Sequence, residues 1–278
     1  MEKKDVRKDA YEELTFTNNF MFCTILQNNP ELCKRIVETI LGVKIKKIVK
    51  PPGKEKAIDI TPDGRGVRLD VYLEGDEALY DIEMQTSNDG DIRKRSRYNH
   101  GMIDLEYLDK GQPFSELKDS YVIFICTFDL FGKGLSKYTF KRLCLEDKSL
   151  ELGDGTTTVF VNTAGRQDDV DEDLKSFINY LETGEIESNL TEEIEEKVKS
   201  ARENKEWRMR YMTLDWELAS QYRKGKEEGL AQGREEGREE GREEGREEGR
   251  ENAIKELLAL GILSEDQRKK LETLLEKG

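Results

Sequence analysis

Histidine and cysteine are scarce in this sequence of 278 residues, which holds one of the first and four of the second. The single histidine, His100, leaves no His pair to bind zinc, and any Ser or Cys triad would have to use that one imidazole. Cys23, Cys33, Cys126 and Cys144 form no Cys-x-x-Cys pair and sit among apolar residues. That is the pattern of reduced, buried thiols in a cytosolic protein, and it argues against a structural zinc site. No stretch approaches 18 consecutive apolar residues, and Met1 is followed by Glu2, Lys3, Lys4 and Asp5 without an apolar segment. Neither a membrane span nor a signal peptide is expected, and the expected compartment is the cytoplasm.

Apolar residues are also few, 35% against 38% charged, and the mean hydropathy of -0.79 calls for long solvated faces or tails beside an ordinary globular part. The net charge of -14 looks unfavourable for binding nucleic acid, where phosphates are met by Lys and Arg. Its distribution changes that reading. Residues 168–197 carry a net -10 and residues 225–251 a net -5, so the remainder sums to +1. The part able to form a core is close to neutral and can present local basic clusters.

The length suits one folded unit of about 150 to 200 residues with appended elements at least as well as two domains. Thr17 or Asn18 can cap a helix carrying Phe20, Met21, Ile25 and Leu26. Pro30 opens a second one with Leu32, Cys33, Ile36, Val37, Ile40 and Leu41 on one side, stopped by Gly42. Residues 43–61 alternate apolar residues with Lys44, Lys46, Lys47, Lys50, Lys54 and Lys56, as in a strand with one wet, positive face. Val67, Leu69, Val71 and Leu73 share one face of the next strand and Arg68, Asp70 and Tyr72 the other. After the Gly75-Asp76 turn, Tyr80, Ile82 and Met84 point one way while Asp81, Glu83 and Gln85 point the other. A helix from about Ile92 to Leu108, capped by Asp89 or Asp91, has Arg93, Lys94, Arg95 and Arg97 in its first turns. The almost wholly apolar run from Tyr121 to Thr127 reads as a central strand covered on both faces, parallel to a neighbour through the preceding crossover helix. Short strands are predicted at Lys137–Phe140 and Thr157–Val161. The class is α/β with a mixed central sheet flanked by helices, followed by an α-helical C-terminal region. The expected division is a core over 10–165, an acidic helical region over 166–224 with one helix from 190 to 223, a repeat over 225–251, and terminal helices over 252–278.

The hairpin carries the chemistry. Asp70 lies on the face opposite Val71 and Leu73, and thirteen residues on, Glu83 and Gln85 take the same face of the adjacent strand, about 7 Å apart along it. Mg²⁺ prefers hard oxygen ligands, usually one or two carboxylates with waters and a substrate phosphate. Asp70 and Glu83 can provide these with room left for a phosphodiester. On spacing alone, a surface hairpin with ordinary solvated acids fits the same positions at least as well.

Longer strings add a resemblance. Thr15-Phe-Thr-Asn-Asn-Phe-Met-Phe22, Arg68-Leu-Asp70, Asp81-Ile-Glu-Met-Gln85, Arg97-Tyr98, Met102-Ile-Asp104, Glu116-Leu117 and Tyr121-Val-Ile-Phe-Ile-Cys-Thr-Phe-Asp-Leu-Phe-Gly132 occur in order, followed by Tyr138-Thr-Phe140, Cys144-Leu-Glu146, Glu206-Trp207 and Met212-Thr-Leu214. Together they resemble the recombination-promoting nucleases, the PD-(D/E)XK nuclease family transposases, over about residues 14–218. The resemblance implies a PD-(D/E)XK restriction-endonuclease-like core over 10–165 and a divalent-metal-dependent DNA endonuclease acting in recombination or mobile-element biology. It implies Mg²⁺, or Mn²⁺, held by Asp70 and Glu83, with Gln85 orienting the attacking water or the phosphate. It also implies contacts to the DNA backbone from Arg93, Lys94 and Arg97. Leu69 stands where the motif has proline, and Gln85 where it has lysine; Glu-x-Gln is common in this family. Asn19 stands where such sequences often carry an aspartate, so it is either an uncharged group at the metal or, with Asn18, a helix cap.

Other features have plainer readings. Asp81 is expected to be a solvated or ion-paired acid, and His100 a surface or half-buried histidine. Arg93 and Arg97, one helical turn apart, suit a phosphate clamp or a salt-bridged solvent face equally. The pair Trp207 and Trp216 reads as core or interface. From Gly225 to Gly249 glycine recurs every fourth residue in Gly-Arg-Glu-Glu-like units. Each helical glycine costs about 1 kcal/mol against alanine, so the segment is a linker, a fraying helix or a stalk that joins copies of the chain through its C-terminal helices. The competing functional class is a weakened nuclease-like module that binds DNA or oligomerises through its tail. A DDE-type transposase lacks a third acid in matching strand context.

Overall fold

The computed structural model describes residues 11–51, 56–58, 67–88, 90–260 and 264–275. They fall into two compact units, Met1–Tyr211 and Met212–Gly278.

The first unit begins with the two expected helices. Asn18, in extended backbone, starts α1 (Asn19–Asn28) by accepting hydrogen bonds on its side chain from the N–H groups of Phe20 and Met21 at 3.0 and 3.3 Å. Pro30 opens α2 (Pro30–Leu41), and Gly42 ends it in the left-handed conformation (φ 70°) that glycine adopts without a Cβ clash. Met21, Phe22, Ile25 and Leu26 of α1 and Leu32, Cys33, Ile36, Val37 and Ile40 of α2 are all buried in one core.

Then follow β1 (Ile48–Lys50), β2 (Lys56–Ile58), β3 (Val67–Leu69), β4 (Val71–Gly75), β5 (Ala78–Gln85), α3 (Ile92–Tyr107), β6 (Asp119–Cys126), β7 (Lys137–Phe140) and β8 (Thr156–Asn162). Six strands make a mixed sheet in the order β1-β4-β5-β6-β8-β7. β5, β6 and β8 are parallel, and β1–β4, β4–β5 and β7–β8 are antiparallel. The apolar run of β6 is central, as expected. Ile123 and Ile125 enter the core shared with α1 and α2, while Val122, Phe124 and Cys126 face a second core with Ile92, Met102 and Ile103 of α3. The helices α4 (Glu172–Thr183) and α5 (Asn189–Glu203) add Leu174, Phe177, Ile178, Ile194 and Val198 to the first core. Their acids lie outside that stripe, which is how so acidic a segment packs.

Three expectations are corrected. Residues 43–61 do not form one strand, because β1 belongs to the large sheet while β2 pairs with β3 in a separate ribbon; residues 52–55 and 59–61 lie outside the described ones. Nor is Val67–Leu73 one strand. The chain bends at Asp70, and the bend reverses the alternation, so Leu69 packs with Tyr72 and Leu79 on the α3 side while Val71 and Leu73 face α1 and α2. The predicted helix over 190–223 is broken at Asn204, whose extended backbone ends α5 and whose side chain accepts the Trp207 N–H at 3.0 Å to begin α6 (Lys205–Ala259). Trp207 packs on the first core and Trp216 is exposed.

The second unit consists of α6 from Met212 onward and α7 (Glu265–Leu275). The glycine repeat is therefore helical, and a Cβ at any of its seven glycines would meet nothing within 4 Å. Among the described residues no helix is long and apolar enough to cross a membrane.

Candidate active site

The bend between β3 and β4 presents Asp70 beside the C-terminal half of β5. The Asp70 N–H donates to Oε1 of Glu83 at 3.3 Å, and the Met84 N–H donates to Oδ2 of Asp70 at 3.3 Å, so each carboxylate is tied to the other's strand. Helix α1 fixes the bend from the other side. Nδ2 of Asn19 donates to Oδ2 of Asp70 at 2.8 Å, and Nε2 of Gln27 donates to the Asp70 carbonyl at 3.1 Å. Asn18 alone caps the helix, and Asn19, one residue on, reaches the candidate site.

On β5 the alternation holds. Tyr80, Ile82 and Met84 enter the first core, and Asp81, Glu83 and Gln85 face α3. Asp81, expected to be a solvated or ion-paired acid, is not solvated: it is fully buried, and Glu83 is 4% exposed. Helix α3 supplies their partners. Asn99 Nδ2 donates to Asp81 Oδ2 at 2.9 Å, and one turn earlier Nη2 of Arg95 lies 3.5 Å from Oε2 of Glu83. The Arg95 guanidinium rests over the Phe124 ring with Cζ 5.2 Å from its centroid.

The electrostatics follow from burial. Asp81 is pushed up to about 7, chiefly by loss of water and also by the charge of Asp70, against the Asn99 hydrogen bond that favours its anion. Glu83 is raised well above the usual carboxylate range, first by burial and then by Asp81 and Asp70, with Arg95 opposing. Asp81 Oδ1 is buried without a hydrogen-bond partner, and the neighbouring Glu83 side chain works against the rise in the Asp81 pKa.

Of the other anticipated residues, Gln85 is buried two positions beyond Glu83 on the same face, and its carbonyl accepts the Thr127 N–H at 3.0 Å. Arg93, Lys94 and Arg97 are exposed on the first turns of α3, with the Arg93 guanidinium over Phe131. They do not join the acids. Of the predicted caps, Asp91 precedes α3 without a side-chain capping bond, and Asp89 lies outside the described residues. His100 corrects a further expectation, being buried with Nδ1 2.8 Å from Ser120 Oγ and Nε2 3.0 Å from Thr158 Oγ1. Burial pushes its pKa down to about 4, so it is a neutral packing residue on β6 and β8.

Arg95 was not among the anticipated site residues, although a signal existed. It lies three residues after Ile92 and four before Asn99, both on the buried face of α3.

The acids suit a hard divalent cation. Asp70 and Glu83 offer carboxylate oxygens on adjoining strands, and burial, which raises the pKa of Glu83, favours a cation beside its ionised form. Among the described residues no cluster of three or more His, Cys, Asp or Glu side chains is arranged to hold a metal; a cation here would have Asp70 and Glu83 as its carboxylates, with Asn19 hydrogen-bonded to Asp70.

A mixed sheet flanked by helices, with an aspartate at a strand break and Glu-x-Gln on the neighbouring strand, has the architecture of the PD-(D/E)XK nucleases. The chain belongs to the PD-(D/E)XK nuclease family transposases, whose family model matches residues 20–227. No curated protein and no solved structure matches it significantly. Nuclease or transposase-like chemistry is what this membership carries.

Proposed function

We propose that the chain is a divalent-metal-dependent DNA endonuclease that acts in recombination or in mobile elements. The observation that supports this most is the reciprocal tie between Asp70 and Glu83, which brings two oxygen ligands from adjoining strands to one place beside a basic helix. Mg²⁺, or Mn²⁺, held by Asp70 and Glu83 would supply Lewis-acid stabilisation of charge on the phosphate oxygens and a bound water of lowered pKa.

The chain's own residues do the rest. Arg93, Lys94 and Arg97 bind backbone phosphates and set the register of the duplex. Gln85 orients the attacking water through its side-chain amide. The water oxygen forms a bond to phosphorus as one P–O ester bond breaks; the water gives up a proton, the leaving oxygen gains one, and the products are one phosphate end and one hydroxyl end. Asn19 steadies the Asp70 carboxylate. A second reading, DNA binding without cleavage, draws on the two neutral side chains Asn19 and Gln85 at positions where charge is usual. Supercoiled plasmid incubated with Mg²⁺, with Mn²⁺ and with chelator separates them. Nicking that appears with metal and stops with chelator supports the nuclease, and a shifted but intact plasmid supports the binding module.

A further inference from the structure

Arg95 has an unusual environment. Its Nε and Nη2 are buried and neither has a hydrogen-bond partner, although the side chain as a whole is 31% exposed. These two nitrogens lie on one edge of the guanidinium, the fork that can donate to two oxygens of one phosphate or carboxylate. Facing this edge is Oε2 of Glu83, at 3.5 Å from Nη2, which falls short of a hydrogen bond, with the buried Asp81 carboxyl also within electrostatic reach. Phe124 supports the flat face, so the fork is held in orientation. An arginine fork with a poorly fitting occupant is a seat for a better anion, and the neutral Gln85 leaves the site without a strand-borne cation.

We infer that Arg95 is a phosphate-contacting residue of the site, its Nε–Nη2 edge donating to the non-bridging oxygens of a DNA phosphodiester, and that in the free chain Glu83 occupies this seat. The inference rests on the reading of DNA as the substrate. It supplies from α3 a positive charge that Gln85 cannot, and it separates Arg95 from Arg93, Lys94 and Arg97, which face solvent.

The test is a binding cycle on the full chain in chelator, read by fluorescence anisotropy of a labelled DNA duplex. Arg95→Ala should weaken binding. Glu83→Gln removes the competing carboxylate and should tighten it roughly tenfold, and that gain should vanish in the double variant. A gain of the same size with and without Arg95 reflects only the loss of one negative charge, and it would overturn the inference, as would an Arg95→Ala chain that binds like wild type. Arg95→Lys keeps the charge and loses the fork, and it repeats the cycle should the alanine variant not fold. Cleavage with Mg²⁺, measured in parallel, judges the nuclease reading separately. An inactive wild type that shows the coupling removes the nuclease and keeps the phosphate contact, and an active wild type without coupling does the reverse.

Discussion

Asn19→Asp replaces a hydrogen-bond donor with a second carboxylate against Asp70. The donor now lies 2.8 Å from Asp70 Oδ2. Two unit charges held at about 3 Å repel by about 5 kcal/mol at an effective dielectric of about 20. Asn19 is exposed and Asp70 half-exposed, so the new carboxylate can rotate away. At about 5 Å and a dielectric of about 40 the repulsion falls to about 2 kcal/mol. The metal-free variant should therefore melt roughly 4 to 8 °C below wild type. Mg²⁺ reverses the sign, because the added charge joins the donor set. A tenfold gain in affinity contributes about 1.4 kcal/mol more ligand stabilisation and a correspondingly larger rise in Tm. Thermal melts in chelator and across a Mg²⁺ titration measure both effects. A variant that melts with wild type in chelator and gains no more from Mg²⁺ would refute the placement of Asn19 at an ion site.

Other predictions follow the same structure. Burial holds Asp81 at about 7, so from the ordinary carboxylate range near 4 up to about 7 the folded chain keeps a proton that the unfolded chain has released. Metal-free stability should thus fall with rising pH through that window, and Asp81→Asn should reduce this fall, leaving the part that the raised Glu83 contributes. His100, held at about 4, acts in the opposite sense, since the unfolded chain binds a proton below about 6.5 that the folded one refuses. Urea melts of both chains across this range isolate the Asp81 part as their difference, and parallel pH profiles would contradict it. Gly237→Ala meets open space and should raise the helicity of a peptide spanning the repeat, gaining about 1 kcal/mol; circular dichroism checks it, and unchanged ellipticity would remove the propensity account of the repeat. Tyr11→Phe loses the 2.7 Å hydrogen bond to the Ala201 carbonyl and should destabilise the first unit by about 1 kcal/mol in denaturant melts, where an unchanged midpoint would show that the bond adds nothing.

Much of the fold is legible because its signals are local. The alternation in β5, the unbroken apolar run of β6, and the cap, proline and glycine around α1 and α2 each specify an element from within a few residues. The bend at Asp70 is not legible in this way. The spacing of Val67, Leu69, Val71 and Leu73 is that of one straight strand, and what breaks it is tertiary: Gln27 of α1 on the Asp70 carbonyl and the pairing of β3 with β2. His100 is similar, since its partners Ser120 and Thr158 come from strands far along the chain. The basic cluster of α3 was visible as composition, yet its division depends on helical phase. Ile92, Ser96, Asn99 and Ile103 mark the buried face, which turns Arg95 inward and leaves Arg93, Lys94 and Arg97 outside. The face of Asp81 is legible and its burial is not, because alternation reports direction and not the depth of cover that α3 provides.

The most direct measurement is the rate of plasmid nicking with Mg²⁺ or Mn²⁺ by wild type, Asp70→Ala and Glu83→Ala, each shown to be folded by its melt. The account predicts metal-dependent nicking by wild type and a loss of at least about a hundredfold in each variant. Metal-dependent nicking that survives both substitutions would contradict it.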